Sequence, residues 1–259
     1  MRKVIYEKQN HVAVITLNQP ERLNVFNTES IQDLIEALEF AKQDQEIRCI
    51  ILRGAGEKAF SAGGDIKEEI ETDSLKAYTF GQLGKQCVKK VQDSPVPVIA
   101  AVHGHTLGGG MELVLAADIT IAAENTKIGM PTIKLGTIPG WGSTKTLADA
   151  VGKSKAKELL YTGRILSAKE AYSFGLVEKV VPTESLFEEA MHLAEEIADK
   201  APIAIRAMKH CIDKGQECDR NTAYAIETGM FSLCYGTQDK REAMQAFLEK
   251  REHEPYQGK

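Results

Sequence analysis

The chain has 259 residues, of which 43% are hydrophobic and 27% charged, and it therefore has enough apolar sequence for one large core or two modest ones. Its 32 basic and 37 acidic residues are interspersed and give a net charge of -5, which argues against a nucleic-acid partner. The five cysteines show no spacing typical of a zinc site or of a disulfide framework. With no apolar run of membrane-spanning length and no signal-peptide core, we expect a cytoplasmic protein without a membrane partner.

The first part of the chain predicts a β-α-β beginning. A strand is expected at Val12–Leu17, then a helix whose apolar residues recur at helical spacing, then a strand over residues 49–52. Asn27 and Thr28 are candidate caps of that helix. A second helix is predicted over residues 75–91, and the prolines that follow it precede an apolar strand at Val98–Val102.

The second half of the chain is predicted to be mainly helical. Short strands are expected at Ile119–Ala123 and Lys127–Gly129, and glycines and prolines break residues 131–142 into tight loops. Further on we expect a helix capped by Ser154, a helix over residues 168–174 and a strand over residues 176–181. Amphipathic helices then begin near Leu186 and at Pro202.

A glycine-rich turn stands out near the middle of the chain, GHTLGGG at residues 104–110, followed by Glu112 in an apolar segment. Consecutive glycines let the backbone lie directly against a ligand and leave N–H groups free at a helix start. The turn lacks the Lys-Ser/Thr of a P-loop and does not complete G-x-G-x-x-G. It therefore predicts either close packing of a helix on a strand or a site for a carbonyl oxygen that becomes an anion.

A second small-residue turn, AFSAGGDIK at residues 59–67, stands between a strand and a helix signal. If the N–H groups of Gly64 and Gly109 converge, they form an oxyanion hole for a thioester or ester carbonyl as it becomes an enolate. Glu112, in an apolar setting near a helix start, is then the candidate acid or base. Its alternative is a buried structural acid.

Taken together, these motifs resemble the crotonase superfamily, also called the enoyl-CoA hydratase/isomerase family. The resemblance covers almost the whole chain and rests on FSAGGDIK (60–67), AAVHG (100–104), LGGGME (107–112) and LGTIPG (135–140), with terminal signatures at 18–24 and 246–251. It implies an α/β fold in which a crotonase-type spiral of ββα units over residues 1–195 precedes a helical C-terminal trimerisation region over residues 196–259. It also implies a homotrimer or a dimer of trimers.

The resemblance further implies an acyl-CoA enzyme, with Gly64 and Gly109 as oxyanion donors and Glu112 as acid or base. The residues it implies for binding coenzyme A are Arg22, Ala62, Gly64, Asp65 and Ile66, with Phe247 and Lys250 reaching a neighbouring subunit. No separate cofactor is implied, because coenzyme A is part of the substrate.

One position departs from the family's hydratases, which carry a second glutamate directly after the proline of the segment matching residues 129–133. Here that position is Thr132, whose hydroxyl positions water but does not ionise near neutral pH. An enoyl-CoA hydratase-type reaction is the first hypothesis, with isomerisation or decarboxylation as alternatives. A non-catalytic CoA-binding homologue is the alternative from another class.

Two more residues are candidates for the substrate pocket. Trp141, the only tryptophan, either lines the acyl pocket, which would indicate a cyclic or aromatic acyl group, or fills a gap against a neighbouring helix. His105 is a candidate pocket contact that titrates in the physiological range, with a structural role as its alternative.

Overall fold

In the computed structural model, which describes residues 2–259, the chain forms strands and helices that alternate before a helical C-terminal part. The strands are β1 Val4–Gln9, β2 Val12–Leu17, β3 Cys49–Gly54, β4 Ala59–Ser61, β5 Val98–Val102, β6 His105–Leu107, β7 Ile119–Ala123, β8 Lys127–Gly129, β9 Ile165–Ser167 and β10 Lys179–Val181. The helices are α1 Thr28–Gln43, α2 Ile66–Glu69, α3 Ser74–Gln92, α4 Gly109–Val114, α5 Ser143–Val151, α6 Lys153–Thr162, α7 Ala168–Ser173, α8 Leu186–Ala198, α9 Pro202–Gly215, α10 Arg220–Tyr235 and α11 Gln238–Glu249.

The larger sheet has six strands in the order β1-β2-β3-β5-β7-β10. β1 and β2 are antiparallel, and every other neighbouring pair is parallel. Parallel strands are covered on both faces and therefore read as continuous apolar runs. This explains why all six residues of β2 are buried.

Helices cover both faces of this sheet. On one face, Ile15 and Leu52 belong to a core that also contains Leu34 of α1. On the other face, Ile51 and Ile99 pack with the small residues of α8. Because successive strand residues point to opposite faces, the alternation of these residues between two cores fixes the register of the sheet.

The smaller sheet has four strands in the order β4-β6-β8-β9. β4, β6 and β8 are parallel to one another, and β9 is antiparallel to β8. The carboxyl ends of three parallel strands therefore lie at one edge, where the segments that follow them converge.

Several sequence predictions are confirmed at residue level. The strands predicted at Val12–Leu17, Val98–Val102, Ile119–Ala123 and Lys127–Gly129 have these bounds in the structure. Asn27 is the N-cap of α1, since its side chain accepts a hydrogen bond from Ser30 N at 2.9 Å while Ser30 Oγ accepts one from Asn27 N. This reciprocal pair satisfies two backbone donors at the helix start.

Two predictions of element ends are wrong. Ser154 does not cap α6, which begins at Lys153 directly after Gly152. The strand predicted over residues 176–181 is confined to Lys179–Val181, because Leu176 N instead donates to Ala171 O at 3.0 Å and closes the end of α7. The domain boundary at residue 195 concerns the division of the chain rather than the end of an element. It lies within α8, Leu186–Ala198, and stays a prediction.

The C-terminal helices are joined to the core by an ion pair in which the Lys209 side chain is 9% exposed and the Asp118 side chain 21% exposed. Lys209 Nζ of α9 lies 2.5 Å from Asp118 Oδ1, and the second carboxylate oxygen of Asp118 accepts Val98 N at 2.7 Å. Burial raises the pKa of Asp118, and the hydrogen bond from Lys209 offsets part of that rise. Within residues 2–259 no helix is both long and apolar enough to cross a membrane.

Candidate active site

The two small-residue turns meet at the edge of the four-stranded sheet. One follows β4 and the other follows β6, its parallel neighbour. A Cβ atom at Gly63 would lie 3.1 Å from Leu107 O and 3.4 Å from Gly108 Cα, and one at Gly110 would lie 2.7 Å from Ser61 O. Side chains at these positions would separate the turns, so the glycines are what allow the backbones to touch.

The N–H groups of Gly64 and Gly109 are left free by the local backbone. Phe26 forms a parallel bridge with Gly64 in which Phe26 N donates to Gly63 O and Asp65 N donates to Phe26 O, each at 2.8 Å. The N–H of Gly64 therefore points to the opposite side. Gly109 is the first residue of α4, where an N–H has no intrahelical acceptor. Neither N–H has an acceptor in the part of the chain that the structure describes.

Glu112 lies in the first turn of α4 and is 4% exposed. Its Oε1 accepts hydrogen bonds from Trp141 N at 3.0 Å and Ser143 N at 3.1 Å, so the carboxyl group sits at the start of α5. Burial raises the pKa of Glu112, and hydrogen bonds from Ser143 and Trp141 offset part of the rise. A buried carboxyl with a raised pKa is suited to exchanging a proton near neutral pH.

Trp141 is 6% exposed and stands beside the second turn. Its ring lies edge-on to Phe26, with 5.3 Å between ring centroids, and 6.0 Å from the ring of Phe80 in α3. A Cβ atom at Gly109 would lie 2.7 Å from the indole. The structure thus places Trp141 against the predicted oxyanion glycine and, at the same time, against a neighbouring helix.

A family model described as enoyl-CoA hydratase/isomerase matches residues 7–258. The chain belongs to this family. The predicted resemblance is therefore confirmed, and so is the prediction of an enzyme of the enoyl-CoA hydratase/isomerase type.

Named relatives and solved structures agree with this membership. The chain is 39% identical to the short-chain-enoyl-CoA hydratase of Clostridium acetobutylicum, over 100% of this chain and 99% of that protein. It is 40% identical to the crotonyl-CoA hydratase of Syntrophomonas wolfei, over 96% and 95% of the two chains. The crystal structure of an enoyl-CoA hydratase from Bacillus anthracis matches with a TM-score of 0.95 and 39% identity, covering 99% of this chain and 100% of that one. The predicted crotonase-type α/β fold is thereby confirmed.

Thr132 lies in the 3-10 helix Pro131–Leu135, which directly follows β8. β8 is the parallel neighbour of β6, and Gly108 N donates to Gly129 O at 3.0 Å. Thr132 therefore lies at the same edge of the sheet as the two glycine turns, and it is half-buried.

His105 is not brought to this site by the structure. It is the first residue of β6 and is exposed, whereas Gly108, Gly109 and Gly110 follow the other end of that strand. Its backbone N–H donates to Lys58 O at 3.0 Å. A strand's direction decides which of its ends faces the site, and the pocket contact of His105 stays a prediction.

The residues predicted to bind coenzyme A fall into two separate groups. Arg22 pairs with Asp65, which is the N-cap of α2, and Ala62 N donates to Leu23 O at 2.9 Å. The first group lies at the first turn: Ala62, Gly64, Asp65 and the exposed Ile66 belong to it, and Arg22 contacts it through Asp65. The second group consists of Phe247, which is 82% exposed on α11, and Lys250, which caps that helix.

Glu69 is a neighbour of the site that the sequence analysis missed. A Cβ atom at Gly64 would lie 1.8 Å from Glu69 Oε1, so the carboxyl group occupies the space beside this glycine. Burial raises the pKa of Glu69, and the nearby carboxylates of Asp65 and Glu68 raise it further. In the sequence, Glu69 belongs to a run of acidic residues that is indistinguishable from an exposed helix face.

Ser143 was also missed, although it follows the predicted pocket residue Trp141 by two positions. Its side chain is buried, and Oγ makes no hydrogen bond of ordinary geometry within residues 2–259. It lies beside Glu112, whose pKa it lowers. A serine after a glycine is a common pattern at the start of a helix. The sequence therefore offered no reason to assign Ser143 to the site.

Replacing Ser143 by alanine is expected to raise the pKa of Glu112, since the change removes a buried hydroxyl dipole beside the carboxyl group and leaves its charged form less well solvated. The pH at which Glu112 ionises should then move upward, and the limb of the pH profile of kcat/KM that reports Glu112 should move with it. At its optimum the rate should change by less than about tenfold. Thr144→Ala, which removes an exposed hydroxyl from the next residue, is the control and should leave the profile in place. An unmoved profile in Ser143→Ala would remove Ser143 from this role.

Proposed function

We propose that this chain converts an acyl-CoA thioester by stabilising its enolate, with the carbonyl oxygen held by Gly64 N–H and Gly109 N–H. Glu112 then moves the proton at the carbon next to the carbonyl. Each backbone donor aimed at a developing oxyanion is worth about 3 kcal/mol. The side chains and backbone groups of this chain carry every step, and coenzyme A enters as part of the substrate.

The observation that carries the proposal is the position of Glu112. It is the buried carboxyl in the first turn of the helix that Gly109 begins, so an oxygen bound at Gly109 N–H brings its acyl carbons close to this side chain. The start of α5 holds one carboxylate oxygen through two backbone N–H groups. The orientation of the carboxyl is therefore fixed before substrate binds, as efficient proton transfer requires.

Hydration of a short enoyl-CoA is the first reaction that we propose. Relatives named as short-chain-enoyl-CoA hydratase and crotonyl-CoA hydratase support it. Thr132 favours a second candidate, isomerisation of the double bond, because one carboxyl group suffices to remove a proton from one carbon and return it to another. Hydration with Glu112 alone leaves Thr132 to position the water by hydrogen bonds.

Replacing Thr132 by glutamate is expected to raise the hydration rate of crotonyl-CoA by at least about tenfold, because a second ionisable group is added at the carboxyl edge of the sheet. The matched control is Thr132→Gln, which has the same length but does not ionise. Initial rates of the two variants and the parent give the comparison. Equal rates in both variants would mean that the carboxyl group at this position does not limit hydration.

We also propose the oligomer that the family resemblance implies, a homotrimer or a dimer of trimers. Large apolar side chains that single-chain packing leaves exposed support it: Met208, Ile212, Tyr224, Phe231, Leu233, Tyr235, Met244, Phe247 and Leu248. They all belong to α9, α10 and α11, and contiguous exposed apolar surface marks interaction sites. In this assembly Phe247 and Lys250 would reach the coenzyme A of a neighbouring subunit.

Mass spectrometry of the products tests the proposed function. The pure protein is incubated in deuterated water, separately with crotonyl-CoA, a 3-enoyl-CoA and methylmalonyl-CoA. Gain of one water by crotonyl-CoA is expected. Deuterium uptake by the 3-enoyl-CoA without gain of water would favour isomerisation instead, and loss of carbon dioxide from methylmalonyl-CoA would establish decarboxylation. Absence of conversion of all three, with coenzyme A esters still bound, would point to a non-catalytic CoA-binding homologue.

A further inference from the structure

The indole of Trp141 fills a gap between the loop over residues 139–142 and α3. A Cβ atom at Gly84 of α3 would lie 2.1 Å from Trp141 Nε1, and one at Gly81 would lie 3.6 Å from Gly140 O. The two glycines are one helical turn apart and therefore share a face of α3. Because neither glycine has a side chain, the loop and the indole lie directly on the helix backbone at these two positions.

Both the backbone and the ring of Trp141 are fixed by contacts. Its backbone N–H donates to Glu112 Oε1 at 3.0 Å, and its ring is packed between Phe26 and Phe80. Edge-on and tilted aromatic contacts of this kind add to the free energy of burying the rings. The indole is therefore a fixed part of the site, and displacing it would open a cavity beside buried aromatic side chains.

The position of this ring relative to the acyl group follows from the proposed function, on which the inference rests. A carbonyl oxygen at the N–H groups of Gly64 and Gly109 places the first acyl carbons beside Glu112. A Cβ atom at Gly109 would touch the indole at 2.7 Å, so the ring stands next to the carbonyl position and next to the carboxyl group. An acyl chain that continues past Glu112 toward α3 meets Trp141.

We propose that Trp141 closes the acyl site and makes this enzyme selective for short acyl chains. Interiors are close-packed, and a longer chain would have to move a buried ring that two aromatic residues and a helix backbone hold in place. Gly84 makes room for this ring, since any side chain there would push the indole out of its gap. Of the two sequence-based alternatives for Trp141, the structure favours a ring that fills a gap against a neighbouring helix. In this proposal the same ring also limits the length of the acyl chain.

The test compares kcat/KM for crotonyl-CoA, octenoyl-CoA and dodecenoyl-CoA in the parent enzyme and in Trp141→Ala. The parent is expected to lose at least about tenfold from the shortest to the longest substrate, the scale on which an apolar pocket discriminates. Trp141→Ala is expected to recover activity on dodecenoyl-CoA relative to crotonyl-CoA. Phe40→Ala, which removes an exposed aromatic ring of α1, is the control and should keep the parent's profile. Equal kcat/KM for all three substrates in the parent would overturn the proposal.

A binding measurement separates failure of this inference from failure of the proposed function. Butyryl-CoA and lauroyl-CoA are saturated, so their binding to the parent and to Trp141→Ala can be measured by calorimetry without turnover. The parent is expected to bind lauroyl-CoA no more tightly than butyryl-CoA, and Trp141→Ala to bind it at least about tenfold more tightly than the parent does. Tighter binding of lauroyl-CoA by the parent would overturn the short-chain site, whatever reaction the enzyme performs. If Trp141→Ala fails to fold, the parent's own order of affinities decides.

Discussion

Glu112→Gln is expected to lower kcat/KM on the enzyme's acyl-CoA substrate by about 10²- to 10⁴-fold, the range by which a positioned acid or base accelerates a reaction. Glutamine has the size of glutamate, and its amide oxygen accepts the same hydrogen bonds from Trp141 N and Ser143 N. The fold of the site should therefore persist. What is lost is the ability to take up and release a proton.

The measurement for this variant pairs steady-state kinetics with binding of a non-reacting CoA ester. Binding should change little, because Glu112 is not among the residues proposed to hold coenzyme A. Glu124→Gln is the matched control, since Glu124 is exposed at the end of β7, and it should retain the parent's rate. A rate near the parent's in Glu112→Gln would exclude Glu112 as the acid or base.

Gly109→Ala is expected to reduce kcat by about 10²- to 10³-fold, as the loss of one oxyanion donor does in other enzymes. The added Cβ atom would lie 2.7 Å from the Trp141 ring and 3.0 Å from Phe26 Cδ2. Both rings are buried and packed on each other, so the backbone of Gly109 has to move instead. Its N–H then leaves the direction that the carbonyl oxygen requires.

The control for this variant comes from the adjacent loop. A Cβ atom at Gly140 would meet nothing within 4 Å, and Gly140→Ala should therefore keep the parent's kcat. Thermal unfolding of both variants shows whether the loss in Gly109→Ala comes from the site or from the whole fold. Full activity of Gly109→Ala would contradict the role of its N–H.

The parts of the fold that depend on residues close to one another in the chain were predictable from the sequence. The Asn27 cap involves residues three positions apart, and β2, β5 and β7 are apolar runs of five or six residues bounded by turn residues. Of the three-residue strands, β8 was predicted from the turn residues that follow it, whereas β4, β6 and β9 were not, because so short a run carries little periodicity. Those strands nevertheless form the edge at which the site is built.

For the site, the sequence identified the turns and Glu112 but not their surroundings. The glycines and the acid lie within a few residues of one another, and the family resemblance joined the two turns. The contacts of Trp141 with Gly84 and of Glu112 with Ser143 join residues far apart in the chain. Such contacts follow from the path of the whole backbone, and one sequence alone gives no signal for them.

The central claim, that Glu112 and the two glycine N–H groups form an enolate from an acyl-CoA, is tested most directly by hydrogen exchange in deuterated water. Butyryl-CoA is the substrate, because it has no double bond to hydrate or shift, and mass spectrometry reports deuterium at the carbon next to the thioester carbonyl. The parent should incorporate deuterium, and Glu112→Gln and Gly109→Ala should not. If the parent converts an enoyl-CoA but exchanges nothing, or if Glu112→Gln exchanges at the parent's rate, the proposed mechanism is wrong.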